Sequence, residues 1–156
     1  MDTLEVWTVY SAGSFTNKNA ERIVEKDWPF TLKTVGGDIF DEYLMDSLEI
    51  HNNRIWAYLD SNGYTDSKDK FQTDLLSEIN RIKKAQETAE SNKSVYDLLT
   101  RLQKNNRLNY TELIKIDDEN YEFSVYSFDP ENLDEKQILE MVFTVELRNE
   151  KVVIVE

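Results

Sequence analysis

Beyond about residue 110 the spacing of apolar positions passes from a helical period to a period of two, and that change organises the reading. From Leu4 to Tyr10 aromatic and β-branched residues dominate, as in a strand. Ser11 to Asn19 is polar and reads as a loop ending in a helix cap. Ala20, Ile23, Val24 and Trp28 recur at spacings of three and four, which predicts a short helix stopped by Pro29. Phe30 to Val35 is a second strand, closed by Gly36-Gly37, with Asp38 as the expected N-cap of a long helix. Phe40, Leu44, Leu48, His51, Ile55 and Leu59 form the stripe of that helix, widened by Tyr43 and Tyr58. Gly63 stands where a helix end takes positive φ.

A third helix is expected from about Ser67, with Phe71, Leu75, Ile79 and Ile82 inward. A fourth should start at Ser94, with Asp97 completing a capping box, and carry Val95, Leu98, Leu99 and Leu102. Beyond Asn109 the period becomes two. Tyr110–Ile116 and Tyr121–Phe128 flank the turn sequence Asp117-Asp118-Glu119-Asn120. In Ile138 to Leu147, strict alternation puts Leu139, Met141, Phe143, Val145 and Leu147 on one face and Glu140, Thr144 and Glu146 on the other. Val152 to Val155 is the last strand. Helices followed by a run of strands predict a single α+β domain over residues 1–156. It has N-terminal strands, about four helices and a four-stranded antiparallel meander, with the helices packed on one face of the sheet.

Charge narrows the classes of function. Eighteen Lys and Arg stand against 31 Asp and Glu in 156 residues, for a net charge of −13. Residues 117–156 alone carry 12 acidic and 3 basic side chains, net −9. Such a chain repels nucleic-acid phosphates and anionic membrane surfaces, so the expected partner is a basic protein. The absence of cysteine removes disulfides, thiolate nucleophiles and Cys-ligated zinc. The first residues lack the charged start and apolar run of a signal peptide, which points to the cytoplasm, or to export if a leader has been trimmed away.

Candidate chemistry is sparse, and neither a catalytic residue, a metal site nor a cofactor is expected. His51 is the only histidine and sits on the apolar stripe, where it reads as a hydrogen-bonded, partly buried helix residue. Gly36-Gly37 could cradle phosphate, but Asp38, Asp41 and Glu42 would repel it. Asp60, Asn62, Gly63, Asp66 and Asp69 lie between two helices like calcium-loop ligands. Aligned on Gly63, however, they put Tyr58 at the first ligand position and Asp69 at the last, which excludes a high-affinity EF-hand.

Residues 20–71 carry a family resemblance. The run Ala-Glu-Arg-Ile-Val-Glu-Lys-Asp-Trp-Pro-Phe, then Val35-Gly36-Gly37-Asp38, then a helix with His51-Asn52-Asn53 and Tyr58-Leu59, then Lys70-Phe71, resembles the FEKKY-type domain of Bacteroidetes proteins. The name-giving motif stands here as Val24-Glu25-Lys26-Asp27-Trp28, without the first aromatic, with Asp for the second Lys and Trp for Tyr. The resemblance implies a bacterial protein and the order helix, strand, glycine turn, long helix. It implies export rather than the cytoplasm, and no chemistry.

The expectation is a non-enzymatic acidic protein-binding domain, of the inhibitor or immunity type, that neutralises a basic partner. Its expected contact face carries Glu122, Glu140 and Glu146 around Tyr126; the plainer reading of the same face is a solvated surface. Two alternatives come from other classes. One is a hydrolase or small-ligand-binding domain using carboxylates between the long helix and the sheet. The other is a structural homo-oligomer subunit joined through Val152–Val155.

Overall fold

The computed structural model describes residues 3–9, 14–36, 41–132 and 134–155. The fold is α+β, and its elements fall into two compact units, residues 1–79 and 80–156. The boundary lies inside a continuous helix.

The first unit opens with β1 (Leu4–Val9), α1 (Phe15–Val24), a 3₁₀ turn at Glu25–Asp27 and β2 (Phe30–Val35). β1 and β2 pair in parallel, Leu4 opposite Phe30 through Val9 opposite Val35. A parallel pair needs a crossover, and α1 supplies it. This helix starts earlier than the apolar spacing predicts: Ser14 accepts the Asn17 N–H at 3.1 Å and Asn19 donates to the Phe15 carbonyl at 2.8 Å. A first turn needs partners for its backbone more than it needs apolar periodicity, so polar residues 16–19 are helical.

The long helix α2 (Glu42–Ser61) is capped by Asp41, whose carboxylate accepts the Leu44 N–H at 2.6 Å. It therefore begins later than a cap at Asp38 would place it; Asp38 and Phe40 lie outside the described residues. Gly36, at φ +79°, precedes it; a Cβ there would stand 2.4 Å from Leu44 Cδ2. The buried positions of α2 are Trp56 and Leu59, with Leu44, Leu48, His51, Asn52 and Ile55 half-buried. Tyr43 and Tyr58 are 85% and 50% exposed, so they do not widen the stripe. α2 ends as expected, with Gly63 at φ +99° and the Tyr64 N–H bonded to the Leu59 carbonyl.

α2 lies on β1. Asn52 pairs with the backbone of Trp7 through both amide atoms, accepting its N–H and donating to its carbonyl at 2.8 Å each. His51 Nε2 donates to the Glu5 carbonyl at 2.8 Å, and its ring stacks on Trp7 at 3.9 Å. A carbonyl only accepts, so Nε2 carries the proton. The open edge of β1 is thus closed by side chains. On the outer edge of β2, Leu32 N–H donates to Glu25 Oε2 at 2.7 Å. The core of this unit is aromatic: Phe30, Trp56 and Phe71 meet edge-on or tilted at 5.2–5.7 Å, joined by Val6, Val24 and Leu59.

α3 (Ser67–Ser91) follows, its first N–H held by Asp60 at 2.9 Å. In the second unit, its residues Ile82, Ala85 and Ala89 are buried. So are Val95, Leu98 and Leu102 of α4 (Lys93–Lys104). The cap of α4 is Asn92, accepting from Ser94 and Val95, and not Ser94 itself. A capping Asn side chain reaches the N–H groups of the second and third residues after it, and Asn92 lies two residues ahead of the expected cap. The meander is β3 (Leu108–Lys115), β4 (Asn120–Phe128), β5 (Ile138–Glu146) and β6 (Lys151–Ile154), antiparallel in chain order. α4 meets it at β3. Arg81 of α3 pairs with Asp118 in the β3–β4 turn, and Lys84 pairs with Glu150 in the β5–β6 turn.

Leu59→Ala should destabilise the protein by about 2–5 kcal/mol, because the side chain is fully enclosed. Leu48→Ala should cost clearly less; urea unfolding followed by circular dichroism compares the two. The Ser67 N–H and hydroxyl hold the Asp60 carboxyl below its ordinary pKa of 3.8. A depressed carboxylate contributes stability above its unfolded pKa and loses it as pH falls through the lower, folded value. Asp60→Asn should therefore flatten the dependence of the urea midpoint on pH below about 4.

Candidate functional site

β4 alternates strictly: Tyr121, Phe123, Val125 and Ser127 are buried, and the residues between them are half-exposed. The half-exposed row is Glu122, Ser124, Tyr126 and Phe128. Antiparallel register adds Leu108, Tyr110, Glu112 and Ile114 of β3 to the same face. From β5 and β6 come Val142, Thr144, Glu146 and Val153.

This face is divided in two. Toward Phe128, Tyr110 and Tyr126 stack with ring centroids 5.1 Å apart and planes 12° from parallel. The Tyr110 hydroxyl donates to Gln137 Oε1. Desolvation first, then the Glu112 carboxylate and Tyr126, raise the Tyr110 pKa above its ordinary value of 10.0, so the phenol keeps its proton. Leu108 and Leu139, 52% and 42% exposed, flank the pair. Toward the opposite end stand Glu112, Glu122 and Glu146, with Ile114 53% exposed among them. The Asp117 carboxylate holds the adjoining turn, accepting from the Glu119 N–H and from Asn120, and both contacts lower its pKa.

Three of the four residues expected here, Glu122, Tyr126 and Glu146, lie on this face. Glu140 does not. A bulge on β5 opposite Val125 and Tyr126 shifts the register by one residue, so Met141 faces Val125 while Leu139 faces Tyr126. An extra residue in one strand breaks the two-residue phase and re-aims the side chains before it. Leu139 is turned to the outer face, and Glu140 to the buried one. There Glu140 accepts the Ser127 hydroxyl at 2.6 Å and Arg101 at 3.1 Å, with only 15% of its side chain exposed. Arg107 donates from Nε to Ser127 at 2.9 Å and pairs with Glu135 at 3.5 Å. The run Glu135–Arg107–Ser127–Glu140–Arg101 therefore ties α4 and the β4–β5 connection to the bulge. Ser127 is fully buried, so its hydroxyl serves this network and is out of reach of a substrate.

The network was hidden from sequence reasoning, because Arg101 and Arg107 lie among polar residues that read as solvated. Tyr110 was equally missed as the partner of Tyr126, although register from the Asp117–Asn120 turn could have paired them. In the first unit, His51 and Asn52 of α2 are both bonded to the backbone of β1. Asp60, from the calcium-like loop, caps α3.

No family model, curated protein or solved structure matches this chain.

Glu140→Ala should cost about 1–3 kcal/mol, since it strips partners from Ser127 and Arg101. Glu122→Ala and Glu146→Ala should stay within about 0.5 kcal/mol, as surface substitutions do. Equal effects in the three variants would contradict the bulge.

Proposed function

We propose that this chain is a non-catalytic, acidic protein-binding domain that neutralises a basic partner through the outer face of its four-stranded sheet. The observation that carries this reading is the division of that face: a stacked tyrosine pair with exposed leucines at one end, three glutamates at the other. Interfaces concentrate binding energy in aromatic anchors within an apolar patch, while charge at the rim sets association rate and partner choice. Tyr126 and Tyr110 have the chemistry of the anchor, and Glu112, Glu122 and Glu146 that of the rim. Charge favours a basic partner over a second copy, because residues 117–156 carry a net −9 and two such segments repel. A cytoplasmic location is part of the same proposal. Among the described residues, no helix is long and apolar enough to cross a membrane.

Affinity capture from the native cells, with wild type, Tyr126→Ala and the double variant Glu122→Lys/Glu146→Lys side by side, tests the reading. Wild type should retain a basic protein that both variants lose at an unchanged urea midpoint. Once that protein is purified, Tyr126→Ala should weaken binding by about 2 kcal/mol or more. The charge reversal should mainly slow association and flatten its salt dependence. Capture of the same proteins by all three chains would refute the assignment of this face.

A further inference from the structure

A second surface lies wholly within the first unit and does not depend on the sheet face. α2 and α3 are joined by the tight turn around Gly63 and held together near it by the Trp56–Phe71 contact, at 5.7 Å, and by the Ser67 hydroxyl on the Trp56 carbonyl, at 3.3 Å. Away from that turn the two helices leave a groove of about 410 Å³. Its apolar lining is Met45, Leu48, Trp56, Phe71 and Leu75. Met45 is 43% exposed, and Leu76, one residue beyond the lining, is 59% exposed. Soluble helices place such residues inward, and here they border an open concavity.

The charges along the groove are sorted. On the α2 wall Asp46 and Glu49 face it, and at the Met45 end a shallower concavity adds Asp41 and Glu42. The one cation of the lining, Lys68, sits at the other end, beside the turn. From Met45 to Trp56 the groove follows about 16 Å of helix axis, which is three turns. An apolar trough of that length with one acidic end is the complement of a short amphipathic helix whose apolar stripe carries lysine or arginine beside it.

The geometry points to this groove as a docking site for a basic amphipathic helix of about three turns on another protein, its cationic end lying over Asp41, Glu42, Asp46 and Glu49. The groove supplies contact area through Met45, Leu48 and Leu75. The carboxylates select the sign of the ligand's charge.

The test uses two labelled synthetic helices of about 11 residues with the same leucine pattern at i, i+3, i+4 and i+7, one with lysine and one with glutamate at the other positions. Fluorescence anisotropy should show saturable binding of the lysine peptide to the full chain, and none of the glutamate peptide. Met45→Lys/Glu49→Lys, both exposed positions, should weaken the lysine peptide about tenfold or more, with the helical circular dichroism signal unchanged. Glu112→Lys/Glu122→Lys on the sheet face should leave the affinity within about twofold. A null result in that last variant separates the groove from the sheet-face reading, which rests on its own capture experiment. The proposal is overturned if the lysine peptide fails to saturate or if the glutamate peptide binds as well. It is equally overturned if the groove variant binds normally or if the sheet-face variant loses affinity to the same extent.

Discussion

An unpaired strand edge is the constraint that organises the first unit. Among the described residues β1 and β2 form a two-stranded sheet, so each has one row of N–H and C=O groups that no described strand meets. Buried backbone groups without partners are costly, and exposed ones invite other chains to pair. Here adjacent residues of one helix answer the β1 edge. Asn52 behaves as a short piece of backbone, with one acceptor and one donor at the spacing of a peptide group, and His51 takes the next carbonyl. Because these contacts fix the rotation of α2, they also decide which of its residues are enclosed. Trp56 and Leu59 fall under the same face as Asn52, and Tyr43 and Tyr58 are left outside. The aromatic core and the groove toward α3 both follow from that rotation.

In the second unit the corresponding constraint is phase. A sheet with one buried face needs every strand to keep the same alternation, and β5 keeps it only from Met141 onward. The bulge sends Glu140 toward the buried side, where a lone carboxylate would be expensive. Arg101, Ser127 and Arg107 make it tolerable. The same displacement leaves Leu139 beside Tyr126 on the outer face, where it joins Leu108 and Tyr110 at the apolar end.

Much of the architecture was legible from periodicity. The strands at Phe30–Val35 and Tyr121–Phe128, the helix from Ser67 and the hairpin at Asp117–Asn120 each combine a sustained period with turn chemistry at its ends. What escaped were features in which a single side chain outweighs the pattern. Ser14 and Asp41 set helix starts through one hydrogen bond each, and Asn92 through two. Tyr43 and Tyr58 sit at helical spacing from the stripe yet are exposed, because the rotation of α2 is set by Asn52 and His51. The candidate site divides in the same manner. Glu122, Tyr126 and Glu146 followed from alternation alone. Glu140 did not, since a bulge leaves no mark in composition and is made visible only by the buried network that supports it.

The placement of tryptophan has an optical consequence. Trp7, Trp28 and Trp56 all belong to the first unit, and the second holds none. Indole emission from this protein therefore reports on residues 1–79 alone, with Trp7 in face-to-face contact with an imidazole and Trp56 among phenyl rings. The phenols do not divide in this way: four tyrosines fall in each unit, among them the stacked Tyr110 and Tyr126 of the second. The indoles thus single out one half of the chain, whose melting can be followed without a label.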